Sequence, residues 1–382
     1  MREVAITGIG LLTSLGEGID AHWQAMRAGE PNVDAKTHAP YPFHPLAEPD
    51  WTTQISRRDK RQMEPWQQIG TFAAGLALED AGLKETDATT TMDMIVAAGG
   101  GERDIEVDGA ILEDAPAAAD GAYEGTDRET FVAGRLANDL RPTLFLAQLS
   151  NLLAGNISIV HKVTGSSRTY MGEEGAGIAA IANAVARVKA GQSDCMLVGG
   201  SFSAAREDMM LVFELGQYLA KNEWKPVWQR EDGLVLGSVG CFLVLEPREA
   251  AEARGATIHA IIDDATGDHG PDKGRAERFA STLRPADAVL SGASGVPGPT
   301  GMEGDVLAGR DVPVRAYGSL TGHGVEAHFP LGVALAAICL RKGGLPAPIG
   351  EHEKPADLSP ASILVTGVGH WRGEGAALVR AA

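Results

Sequence analysis

The stretch Gly165–Gly200, GSSRTYMGEEGAGIAAIANAVARVKAGQSDCMLVGG, carries the pattern on which the fold turns. A β-type run, SSRTYM, leads into Gly172-Glu173-Glu174-Gly175-Ala176-Gly177, where the glycines permit a sharp turn. Ile178, Ile181, Val185 and Val188 then recur at i, i+3, i+7 and i+10, one buried face of a helix. Gly191 ends that helix and DCMLVGG reads as a buried strand. Strand, sharp turn, helix and strand form a nucleophile-elbow arrangement, which sets one side chain at a helix N-terminus.

A similar unit recurs near the C-terminus. Val312–Tyr317 reads as a strand, Gly318–Glu326 as a turn and Pro330–Lys342 as a helix closed by Gly343-Gly344, with SILVTG at Ser362–Gly367 as the return strand. Nearer the start, EVAITGIG reads as a strand, Asp20–Arg27 and Trp66–Ala81 as helices, and Met92–Gly101 as another strand. Gly101–Asp127, acidic and rich in alanine, reads as a surface excursion. Two like units predict a duplicated α/β core, with halves at 1–250 and 251–382 and a site where the polar turns converge. Gly8, Gly10 and Gly16 do not have G-x-G-x-x-G spacing, so no dinucleotide fold is expected.

Composition limits the partners. The chain has 382 residues, 33 basic against 51 acidic side chains and a net charge of −18, which disfavours nucleic acid or an anionic membrane. No segment reaches about 18 uninterrupted apolar residues, and MREVAITGIGLLTSLG lacks the form of a signal peptide. Cys195, Cys241 and Cys339 are scattered through apolar runs and read as buried small hydrophobes. A cytoplasmic protein without membrane insertion, metal or cofactor is expected.

On spacing alone, Glu173 and Glu174 read as acids favoured by a helix dipole; as neighbours they point apart and make a poor acid–base pair. His323, in SLTGHGVE, reads as a turn histidine, and its i, i+5 spacing to His328 does not suit one helix face.

Taken together, VAITGIGLLTSLG, HWQAMRAG, ISRRDKRQMEPWQQIG, DGLVLGSVGCFLVLEPREAAEARGATIHAII and SLTGHGVEAHFPLGVALAAICL resemble, in order, segments of the β-ketoacyl-acyl-carrier-protein synthases. The resemblance implies the thiolase fold, a duplicated five-layer αβαβα core. It also marks departures. Counting without gaps puts Glu174 at the position of the family's nucleophilic cysteine, and Ser291 at that of its first catalytic histidine. The lysine of the K-S-x-x-G-H motif becomes Gly318, while His323 keeps the second histidine. The glycine-rich gating loop is rewritten as Gly367–Gly375, GVGHWRGEG.

Condensation needs a thiolate to hold the acyl chain and imidazoles to stabilise charge during decarboxylation. A glutamate is a weak nucleophile, and a carboxylate repels the malonyl carboxylate in one pocket. The resemblance therefore implies a degenerate synthase of the chain-length-factor kind, a non-catalytic partner of an active ketosynthase subunit. The wider pattern, including RQMEPWQQ and FLAQLSNLLAGNISIVHKVTGSSRTYMGEEGAG, resembles the cysteine-lacking paralogue of alphaproteobacterial clusters that make the very long acyl chain of lipid A. Two alternatives stay open: a malonyl-carrier-protein decarboxylase using His323, and a homodimeric scaffold that binds carrier protein. Carrier proteins are acidic, and Arg57, Arg58 and Arg61, on a segment resembling the family's docking helix, are the candidate contacts.

Overall fold

The computed structural model describes residues 2–119, 127–142, 144, 148–221 and 223–382. Among these residues eleven strands form one sheet: β1 (Val4–Thr13), β2 (Gly16–Glu17), β3 (Asp93–Ala98), β4 (Ser167–Tyr170), β5 (Met196–Phe202), β6 (Val239–Pro247), β7 (Ala260–Asp268), β8 (Ala288–Ser291), β9 (Val314–Ala316), β10 (Ser362–Val368) and β11 (Glu374–Arg380). From one edge inward the first set runs β4-β3-β5-β6-β1, and from the other edge the second runs β9-β8-β10-β11-β7. With the β2 hairpin set aside, each set has its third, second, fourth, fifth and first strand in that order. Pair directions repeat as well: β3 is parallel to β4 and β5, as β8 is to β9 and β10, and the remaining pairs are antiparallel. The duplication is thus written in the hydrogen bonding. The sets meet where Val4–Ile6 of β1 pairs antiparallel with Ala260–Ile262 of β7.

Helices complete five layers. Two central helices, Glu173–Lys189 (the elbow helix) and His328–Lys342, pack on each other and lie between strands of both sets. Pro65–Asp80 and Leu152–His161 cover the outer face of the first set; Arg275–Thr282 and Pro297–Leu307 cover the second. The elbow-helix stripe is buried as the spacing predicts, with Ile178, Ile181, Val185 and Val188 each at most 3% exposed. All of His328–Leu340 is buried, which suits a helix enclosed by apolar layers on every side.

Several boundaries differ from the expectations. The second central helix starts at His328, two residues before Pro330, because the 3₁₀ turn Val325–Ala327 runs straight into it. Pro330 then sits in the first turn, where an amide hydrogen has no helical partner to lose. The Gly318–Glu326 stretch is itself partly helical, at Gly318–Thr321. Ile105–Ala119 forms a helix within the expected surface excursion, whose residues 120–126 lie outside the described residues. Residues 145–147 of the quoted FLAQLSNLL run lie outside them too.

Candidate functional site

The elbow follows β4, the third strand of its set, and the His323 turn follows β9, the third strand of the other. The repeat therefore carries the two turns to equivalent places, and the central helices bring them together. Gly172 has φ 117° and Glu173 φ 51°, so the chain enters the elbow helix through a left-handed corner that a non-glycine residue adopts only under constraint. Gly177 allows the close approach: a Cβ there would stand 2.3 Å from the Glu326 carbonyl oxygen.

Glu174 and Glu173 diverge, as adjacent residues in a helix must. Glu173 turns outward and meets Arg372 at 3.2 Å, whereas Glu174 is buried. The backbone N–H of His370 donates to Glu174 Oε1 at 3.0 Å, and His370 Nδ1 lies 2.9 and 3.1 Å from its two oxygens. His323 Nε2 stands 3.2 Å from Oε1, off the line of a hydrogen bond. The Val325 amide donates to His323 Nδ1, which leaves the ring proton on Nε2, facing the carboxylate. Burial alone would raise the Glu174 pKa, but the neighbouring His370 and His323 overcome it and hold the carboxyl well below its usual range. Burial opposes the His370 imidazolium, and Glu174 more than offsets that, raising its pKa. The position expected of a nucleophile is thus a carboxylate locked in an ion pair.

No spacing in the sequence points to His370; its loop shows there only as a departure from the family's glycine-rich form. The loop is pinned from within. Arg275 donates to the carbonyls of Gly369 at 2.8 Å and Gly373 at 3.0 Å, and pairs with Glu374 at 3.0 Å. The His370 ring rests edge-on against Tyr218 and Phe213, with centroids 4.7 and 5.3 Å away.

The other candidates part company. Ser291, at the end of β8, is fully buried, and its hydroxyl donates to Glu303 at 2.6 Å; no hydrogen bond among the described residues links it to Glu174. Thr366 donates to the same Glu303 oxygen at 2.6 Å. Burial, only partly relieved by those hydroxyls, raises the Glu303 pKa. His323 and His328, set apart on helical spacing, stack with ring centroids 4.2 Å apart because a 3₁₀ turn rather than a continuous helix joins them. A side chain at Gly318 would meet His328 Cε1 and Val227 Cγ2 at 3.4 Å. An imidazole thus lies against the position where the resemblance expects a lysine.

Arg57, Arg58 and Arg61 lie on and just after the one-turn helix Arg57–Lys60, capped by Ser56; all three are exposed, and none has a carboxylate within 4.0 Å among the described residues. Cys241 and Cys339 are buried, while Cys195 is half-buried because it precedes β5 at the edge of its cluster. Burial pushes Cys195 and Cys339 up to about 12 and Cys241 higher still, so none of the three is a ready thiolate.

A cavity of about 660 Å³ opens beside this centre, lined by Trp66, Gly99, Phe202, Tyr218, Glu326 and His370 among others. Among the described residues no helix is long and apolar enough to cross a membrane.

A duplicated five-layer core with the two elbow turns meeting at its middle is the thiolase fold. Residues 1–251 match the model of the β-ketoacyl synthase N-terminal domain, and the chain belongs to that family. It is 27% identical over 277 residues to the 3-oxoacyl-[acyl-carrier-protein] synthase 2 of Vibrio cholerae, covering 68% of this chain and 62% of that protein. It thus spans about three fifths of the length of such curated relatives. The ishigamide ketosynthase/chain length factor superposes with a TM-score of 0.79 at 19% identity, over 100% of this chain and 99% of the other. A type II polyketide ketosynthase, solved with its acyl-carrier protein and bound to the hexaketide, superposes at 0.72 and 18% identity over 100% of each chain.

Proposed function

We propose that this chain is a non-condensing subunit that pairs with a complete β-ketoacyl synthase and shapes the acyl chain it builds, the very long chains of lipid A being the target the sequence resemblance favours. The observation that carries the reading is Glu174. A carboxylate held ionised by His370 and flanked by His323 has no thiolate chemistry to offer, and it would repel the malonyl carboxylate. The frame that a partner needs is nevertheless intact, with both repeats and both turns in place.

Its surface suits a second subunit. Among the described residues β4 ends the sheet, and one side of the strand has no neighbour there. Met171, just after it, is exposed with Val212, Leu211 and Leu215 of the Glu207–Leu215 helix, and Met171 and Val212 share the cavity rim. Arg57, Arg58 and Arg61 offer an acidic carrier protein a basic foothold on a chain of net charge −18. The decarboxylase alternative is disfavoured, because Ser291 bonds Glu303 and an anion occupies the nucleophile corner. Co-expression with a complete synthase tests the proposal. A mixed dimer that makes longer chains than the synthase alone supports it; a chain that stays apart, with product length unchanged by its removal, contradicts it.

A further inference from the structure

Within the cavity wall, two polar groups lack partners. Glu326 is 5% exposed, and its Oε2 has no hydrogen-bond partner among the described residues; the same is true of Trp66 Nε1. An unpaired buried carboxyl and an unpaired buried indole N–H are costly, and both belong to residues lining one space. The local fold turns Glu326 inward. Val325 precedes it at φ 47°, a conformation β-branched residues avoid, and Gly99 opposite is bare: a Cβ there would stand 3.0 Å from Glu326 Oε1. Arg206, which shares the cavity, makes no ion pair with the acid among the described residues. Its guanidinium is taken up by Asp208 at 2.6 Å and by the Gly101 carbonyl.

Part of the lining is apolar: Met171, Phe202, Met209, Phe213 and Tyr218 give a wall suited to an aliphatic chain, while Glu173, Ser201, Arg206, His370 and Arg372 supply its polar remainder. The volume of about 660 Å³ falls within the usual range for a small-molecule site, about 300–1,000 Å³. From this combination we propose that the cavity beside Glu174 binds an aliphatic chain bearing a hydroxyl or carbonyl group, and that Glu326 selects for that group. A hydroxyl donates to the carboxylate of Glu326 and accepts from the indole of Trp66; a carbonyl accepts from the indole or from protonated Glu326. An unsubstituted chain leaves both groups desolvated and unpaired. Burial and the nearby acids push Glu326 up to about 7, so both of its forms are populated at neutral pH and serve either substituent.

This selectivity is a property of the isolated chain and does not rest on the partner reading. Calorimetric titration compares the N-acetylcysteamine thioester of dodecanoate with hydroxylated counterparts, the hydroxyl placed at successive carbons. One hydroxylated isomer is expected to bind about tenfold tighter than the plain chain. Glu326→Leu removes that preference while keeping plain-chain binding. Glu326→Gln, which also serves should the leucine variant fail to fold, keeps a preference that no longer changes across neutral pH. Equal binding of all probes, binding of none, or a preference that survives in Glu326→Leu would each overturn the proposal. So would a pH-dependent preference in Glu326→Gln.

Discussion

The two repeats reach the same point by different routes. In the first, Met171 and Gly172 alone separate β4 from the elbow helix, and the turn delivers one carboxylate, Glu174. In the second, the connection from β9 to the His328–Lys342 helix spans a helical turn and a 3₁₀ turn, and delivers His323 with His328 stacked behind it. The strand order dictates that the turns meet, and the residues at their tips dictate what the meeting does. Here an acid faces an imidazole, and a second imidazole from the 369–373 loop completes the pairing.

Three buried glutamates sharpen the contrast. Glu174 has imidazoles beside it and is ionised; Glu303 has hydroxyl donors on one oxygen and a raised pKa; Glu326 is raised to about 7, and Glu303 and Glu326 each keep one oxygen unpartnered among the described residues. Burial raises all three, and the neighbours separate them.

The largest effect is expected on removing the cation. His370→Ala leaves Glu174 buried with one partner, and denaturant unfolding at pH 7 should show a loss of about 3 kcal/mol. Adding Glu174→Gln should recover most of it. The sign with pH follows from the two shifts. The lowered pKa of Glu174 gives stability that is lost as pH falls through its folded value; the raised pKa of His370 gives stability that is lost as pH rises through its own. The His370→Ala penalty should therefore shrink in alkali.

Glu326→Gln runs the other way. A carboxyl raised from 4.5 to about 7 costs stability as pH climbs through that interval. The variant should be more stable than the parent by on the order of 2 kcal/mol at pH 8, with the difference gone below pH 4. Thermal unfolding across pH reads it directly. The smallest change is expected at Ser291→Ala, which removes one neutral donor to Glu303; a loss of about 1 kcal/mol is the expected size.

Much of this was legible in the sequence, and the residues that were not share a cause. Glycine punctuation and apolar spacing located both central helices and the strands around them, and gap-free counting reached Glu174 and His323. His370 lies 196 residues from Glu174, in a loop whose side-chain directions follow no period. Glu326 had a signal that went unused: it is an acid within VEAHFPLGVALAAICL, where nearly every other side chain is apolar. Helical spacing does not foresee the stacking of His323 on His328, because the turn between them is not α-helical.

The central claim is that Glu174 is an ion-paired carboxylate and not a nucleophile. Incubating the isolated chain with acyl and malonyl carrier proteins, with intact-mass and carbon dioxide readouts, tests it most directly. The account predicts no acyl adduct, no ketoacyl product and no gas release above a His323→Ala control. An acyl group found on Glu174, or any chain extension by the protein alone, would contradict it.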